Sequence, residues 1–274
     1  MKLTVNGASL YCYTGGRPFQ PEQPSVVFIH GVLNDHSVWI LQSRYFAHHG
    51  WNVLAVDLPG HCRSGGEAPA SVEQAARAMA GLLDAAGIAK AALVGHSWGS
   101  LIALQTAADL GARISHVALV GTAYPMKVSA TLIENSLNDP MSALKMVNVF
   151  SRATLAPPPS ALGPGTWVYG AGMALGRRVL ASNPNVNLFH RGFVACDRYR
   201  GGEEAMARVR CPVLFLLGRG DQMTAPAAAR SLIEIAEREN IRHAVAWVPV
   251  GHHQMTEAPD ETLTLLWKFL NAPA

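Results

Sequence analysis

Short, uninterrupted apolar runs recur along the chain: Val26-Val27-Phe28-Ile29, Val53-Leu54-Ala55-Val56, and further runs at 91–94, 117–120, 213–217 and near 244–248. Runs this short, without polar alternation, predict strands buried on both faces. Ahead of them Leu3, Val5, Leu10, Tyr11 and Tyr13 alternate around Asn6-Gly7, which predicts a hairpin. Between the strands the spacing turns helical. Over 71–86, Ser71 stands where a cap belongs, and Val72, Ala75, Ala76, Met79, Leu82 and Leu83 share one face. Further helices are predicted over 100–110, 226–238 and 259–270. Strands alternating with helices predict an α/β fold, with a mostly parallel twisted sheet and helices on both faces.

The rhythm stops after Tyr124-Pro125 and returns shortly before Val213. The intervening text holds helical patches broken by Pro157-Pro158-Pro159 and a glycine-rich run over 163–176. The expected organisation is therefore a core of 1–123 and 207–274 with an insertion over 124–206. Such an insertion is expected on the C-terminal edge of the sheet, where ligands of these sheets bind.

Composition narrows the classes. A chain of 274 residues can bury one α/β domain with an insertion, and 49% apolar with 15% charged residues is globular. A net charge of +3 without a basic stripe argues against a nucleic-acid partner. Cys12, Cys62, Cys196 and Cys211 are scattered, which suggests neither a zinc site nor a disulfide framework. Residues 1–7 lack the apolar core of a secretory signal, and no run is long enough to span a bilayer. The expected setting is cytoplasmic, with no metal or cofactor and with a small-molecule substrate as partner. Oligomeric state is left open.

The chemistry gathers around Gly95-His96-Ser97-Trp98-Gly99, between the 91–94 strand and the following helix. A serine on a tight strand-to-helix turn projects its hydroxyl from the sheet edge, and flanking glycines relieve contacts that a Cβ would make. A serine nucleophile needs a base and the base an orienting acid, which follow it along the chain in this arrangement. Asp221, in Gly218-Arg219-Gly220-Asp221, stands just past the 213–217 strand. Alone, it also fits a turn aspartate bonding its own backbone. Either His252 or His253 can supply the base, since both follow the last strand. His96 is expected to be a buried support, and His48-His49 the solvated end of a helix.

Five stretches together carry a family resemblance: His30-Gly31; Asp57-Leu58-Pro59-Gly60-His61 with Arg63-Ser64; Gly95 to Gly99; Gly218 to Asp221; and Gly251-His252 through Glu257-Ala258-Pro259. The chain resembles the α/β-hydrolase superfamily, in its group of small capped serine hydrolases. The resemblance implies the α/β-hydrolase fold with 124–206 as a helical cap, and it selects His252 as the base. It implies an oxyanion hole from the backbone N–H groups of Val32 and Trp98. It makes Asp57 and Arg63 a structural turn, although Cys62 stands where the family usually carries glycine. Met146, Phe150, Trp167, Tyr169 and Met173 are the candidate substrate pocket, with Met126 and Leu144 nearby.

The expected function is a serine esterase acting on small to medium, apolar carboxylic esters through Ser97, His252 and Asp221. Carbon–carbon bond hydrolysis and lactone opening are the alternatives, followed by cofactor-free perhydrolysis and non-catalytic ligand binding. An aspartate nucleophile, which dehalogenases and epoxide hydrolases of this fold need, is missing at position 97.

Overall fold

In the computed structural model, which describes residues 1–153 and 167–273, one eight-stranded sheet runs in the order β1-β2-β4-β3-β5-β6-β7-β8. The strands are β1 (Lys2–Val5), β2 (Ala8–Tyr13), β3 (Ser25–Ile29), β4 (Asn52–Val56), β5 (Ala91–His96), β6 (Ile114–Val120), β7 (Val213–Gly218) and β8 (His243–Val248). The first two pair antiparallel in a hairpin with Val5 opposite Ala8. Asn6 and Gly7 both take positive φ, 51° and 79°, as a two-residue turn matching strand twist requires. β2 also joins β4 antiparallel, and every pair from β4 to β8 is parallel.

The continuous apolar runs follow from the layers. Alternate residues of β3 to β7 enter opposite cores, because side chains of a strand alternate faces, while β8 at the edge is only partly covered. Val27, Ile29, Leu93, Leu119 and Phe215 pack into one core with α2 (Val72–Ala85) and α3 (Trp98–Leu110). Phe28, Val53, Val94, Val120 and Leu216 pack into the other with α1 (Ile40–His48) and α11 (Pro259–Leu270). Ser71 Oγ caps α2 by accepting from Gln74 N at 3.2 Å. Gly60 and Cys62 turn the loop after β4, and Cys62 adopts φ 47°, a left-handed conformation that explains the preference for glycine there. His49 stacks on Tyr45 at the end of α1.

The 124–206 stretch contributes α4 (Ala130–Asn138), α5 (Pro140–Phe150), α6 (Val168–Ala181), α7 (Leu188–Arg198) and α8 (Gly202–Arg208). Leu132, Leu144, Val179, Phe189 and Phe193 form a third, smaller core together with Leu33 and Ala68. Helices α7 and α8 also reach the sheet-side core, through Ala195 and Cys196 and through Ala205 and Met206. The triple proline and the start of the glycine-rich run lie outside the described residues. After β7 come α9 (Arg230–Arg238) and, following β8, the short α10 (Gln254–Glu257).

Candidate active site

The turn from β5 into α3 is shaped by glycine. A Cβ on Gly95 would lie 2.0 Å from Gly99 O, and one on Gly99 would lie 2.4 Å from Ile29 O. Those contacts exclude any side chain and let the helix start directly on the strand. Ser97, between them, is held at φ 54° and ψ −120°, a conformation that costs a non-glycine residue roughly 1–3 kcal/mol. Its N–H donates to Val120 O at 2.9 Å, and its carbonyl accepts from Ser100 Oγ, so the turn is tied to β6 and to its own helix.

Asp221 follows β7 and divides its two oxygens between two tasks. Oδ1 accepts from the N–H groups of Met223 (2.9 Å) and Thr224 (2.8 Å), closing the turn. Oδ2 lies 2.8 Å from His252 Nδ1 and 2.7 Å from Thr224 Oγ1. Burial pushes this carboxyl up, but the attraction of His252 and the hydrogen bonds from His252 and Thr224 outweigh it and hold the group below the usual carboxylate range. The ionised Oδ2 can only accept, so Nδ1 is the donor of this bond, and in the neutral imidazole that leaves Nε2 as an acceptor.

The loop carrying His252 is stitched to three other segments. Its N–H donates to Ser151 O at 2.7 Å, just beyond α5. Its carbonyl accepts from His96 Nε2 at 2.7 Å, next to Ser97. Burial and then the neighbouring His252 push His96 down to about 3, so it is neutral and carries its proton on Nε2. Glu257, 2% exposed, accepts from Gly251 N, His253 N and Ala153 N at 3.3, 3.1 and 3.0 Å. That carboxylate fixes the loop on both sides of His252.

Ser97 and His252 border one cavity of about 290 Å³, with Val32 and Thr224 on the core side. Among the described residues Ser97 Oγ forms no hydrogen bond; its backbone and the His252 ring are held by the other contacts. The N–H groups of Val32 and Trp98 also find no acceptor among the described residues, and that of Trp98 is one of the free donors at the start of α3. The loop bearing Val32 is anchored by His30, whose Nε2 accepts from Leu58 N at 3.1 Å.

Met146 and Phe150, both on α5, border this cavity, as does Met126. Trp167, Tyr169 and Met173 are not among its described lining residues. Trp167 is 71% exposed and packs on Tyr169, while Met173 packs among the helices of the 124–206 stretch. The reason is the rotation of α6: Val168, Ala171, Gly172, Leu175 and Gly176 face inward, onto a neighbouring space, and the larger side chains point elsewhere. Leu132 and Phe193, not singled out in the sequence, take part of the wall instead. Thr224 was also missed, although a threonine three residues after a turn aspartate is a recognisable partner for it.

Asp35, His36 and Asp57 bring three ligand-type atoms within 4.8 Å of one another. Their oxygens are already engaged: Asp57 accepts from His36 Nδ1 and Arg63 N, and Asp35 pairs with Arg178 at 2.6 Å. Asp57 thus closes the turn that contains Arg63. Among the described residues no helix is long and apolar enough to cross a membrane.

Residues 24–254 match the family described as alpha/beta hydrolase fold. The chain is 39% identical over 97 residues to the dihydrolipoyllysine-residue acetyltransferase component of an acetoin cleaving system from Cupriavidus necator, covering 35% of this chain and 26% of that protein. Matched stretches span only 26% to 50% of the first curated relatives. In three dimensions the chain is similar to an enol-lactonase from Burkholderia xenovorans (TM-score 0.80, 21% identity, 99% of this chain and 100% of that one). It is similar also to an esterase from Exiguobacterium antarcticum (TM-score 0.80, 18% identity, 99% of each). At these identities the structural likeness speaks for the fold.

Proposed function

The chain belongs to the α/β-hydrolase fold family, and on that premise we propose that it is a serine hydrolase cleaving carboxylic esters of small to medium size. The supporting observation is the meeting, at one cavity, of a strained serine with a histidine whose far nitrogen is bonded to a buried carboxylate. In this reading His252 Nε2 takes the Ser97 proton while Oγ attacks the ester carbonyl. The carbonyl oxygen, now negative, accepts from the N–H groups of Val32 and Trp98, each contributing about 3–4 kcal/mol to lowering the barrier. The imidazolium, steadied by Asp221, then protonates the departing alcohol. Water, deprotonated by the same Nε2, attacks the acyl-enzyme and releases the acid, restoring Ser97. The Oγ–Nε2 contact closes with substrate in place, as such contacts often do. The segment 124–206 is the proposed cap, with Met146 and Phe150 on the substrate side.

A lactone is an ester closed on itself, and the same three groups open it by the same steps. Carbon–carbon cleavage and perhydrolysis draw on them too. A fluorophosphonate probe tests the common element: rapid labelling of the folded protein, abolished in Ser97→Ala, is the expected outcome. Folded protein that stays unlabelled contradicts the proposal. A panel of esters of graded acyl length, a lactone and a vinylogous diketone acid then separates the bond types.

A further inference from the structure

Beside the Ser97 cavity lies a second one, of about 180 Å³. The two share the side chains of Val32 and Val147 as a common wall. Helix α6 supplies one side through its small residues Gly172 and Gly176, and the floor carries Arg152, His253 and Asn34. None of its described lining residues is acidic.

Arg152 is unusual here. Its Nε is buried without a hydrogen-bond partner, and no ion pair within 4.0 Å joins it to a carboxylate among the described residues. Glu257 is the acid whose field reaches it, but both Glu257 oxygens are occupied by three backbone N–H groups. A guanidinium nitrogen buried without an acceptor is costly, and the planar fork of this half-buried side chain matches a carboxylate. The His253 ring, 5.5 Å from His96, also makes no hydrogen bond among the described residues. Burial and then Arg152 hold it well below the usual histidine range. A neutral imidazole keeps one N–H to donate. The remaining walls are mostly aliphatic, which strengthens any charge-assisted bond formed inside.

We propose that this second cavity is a carboxylate subsite: the ester or lactone cleaved at Ser97 carries an acid group that Arg152 receives, with His253 and Asn34 beside it. This rests on the serine-hydrolase reading and narrows its substrate class. Val32 connects the two spaces, since its side chain walls both and its N–H is the proposed oxyanion donor. The scissile carbonyl therefore sits where the cavities meet, with an apolar body in the first and the acid in the second.

The test compares kcat/KM for monomethyl glutarate and adipate with the same esters carrying a primary amide in place of the acid. A second series puts the acid on the alcohol side, as acetate esters of hydroxy acids against their amides. The acid form is favoured about tenfold to hundredfold in one of the series, chiefly through KM. In Arg152→Gln that ratio falls towards one, and Arg152→Lys retains part of it because the charge remains without the fork. Glutarate binds the unaltered protein, read by calorimetry, and Arg152→Gln weakens it in the same proportion. No preference in either series overturns the proposal. So does a preference that survives Arg152→Gln, or one lost instead in Lys127→Met, the exposed cation bordering the first cavity. If no ester is cleaved and no fluorophosphonate is taken up, the hydrolase reading fails; glutarate titration still decides the subsite, with binding lost in Arg152→Gln supporting it and no binding refuting it. Should Arg152→Gln not fold, the Lys variant and the titration carry the decision.

Discussion

The sheet rim and the proposed cap make up the two halves of one cavity, and they are built by different means. At the rim, backbone geometry positions the chemistry: Ser97 by two glycines that admit no Cβ, Asp221 by a turn off β7, His252 by hydrogen bonds to Ser151 and His96. In the cap, side-chain packing decides, through a small core of Leu132, Leu144, Phe189 and Phe193. A backbone-built region tolerates few changes and reports them as lost chemistry or lost folding. A region built by packing accepts changes and reports them as altered selectivity.

The largest expected effect separates the two histidines at the rim. His252→Ala lowers kcat on a responsive ester by about 10⁴-fold or more, while His253→Ala, which leaves the Asp221–imidazole pair in place, loses far less. Steady-state kinetics on both variants checks this, and the reverse order moves the base to His253. Next comes the elbow. Gly95→Ala puts a Cβ 2.0 Å from Gly99 O, and a backbone clash of this kind is expected to cost at least about 3 kcal/mol. Chemical denaturation measures it; a change within about 0.5 kcal/mol would show that the elbow has room to relax.

A pH effect of intermediate size belongs to His96. Its folded value of about 3 lies below the ordinary 6.5, so between these values the unfolded chain binds more protons. Its stability contribution is whole above pH 6.5 and declines as pH falls towards 3, by roughly 2 kcal/mol at pH 5. His96→Gln, which keeps a donor for the His252 carbonyl, should flatten that part of the stability–pH curve. His30, His61, His116 and His253, also held low, contribute to the slope that remains. Equal slopes in both proteins would contradict the assignment. The smallest effect is in the cap: Phe150→Ala, on a half-exposed wall residue, shifts preference among acyl lengths by a few-fold and leaves kcat on a short ester almost unchanged. A collapse of kcat there would show that the cap, too, positions the chemistry.

The same contrast explains what was legible in the sequence. Strands β3 to β7 are legible because burial on both faces demands unbroken apolar runs, and the hairpin because Asn6-Gly7 suits only a few turns. Helix α3 starts at Trp98, two residues before the spacing suggests, because the glycines on either side leave no linker. Ser97 and Asp221 are marked by position at strand ends, whereas the choice of His252 over His253 needed the family pattern. In hindsight Glu257 explains that pattern physically: its carboxylate grips the N–H groups on both sides of His252. The expectation for Trp167, Tyr169 and Met173 rests on apolar character, which does not reveal the phase of a helix. On α6 the face lining the neighbouring cavity mixes Val168 and Leu175 with Ala171, Gly172 and Gly176, small residues that an apolar reading overlooks.

The proposed chemistry requires Ser97 Oγ and His252 Nε2 to meet under two backbone donors. A crystal structure of the phosphonylated protein tests this directly. The prediction is phosphorus on Ser97 Oγ, His252 Nε2 about 3 Å from that oxygen, and the phosphonyl oxygen within about 2.7–3.1 Å of the N–H groups of Val32 and Trp98. A phosphonyl group on another residue, or an oxygen facing solvent with His252 turned away, contradicts it.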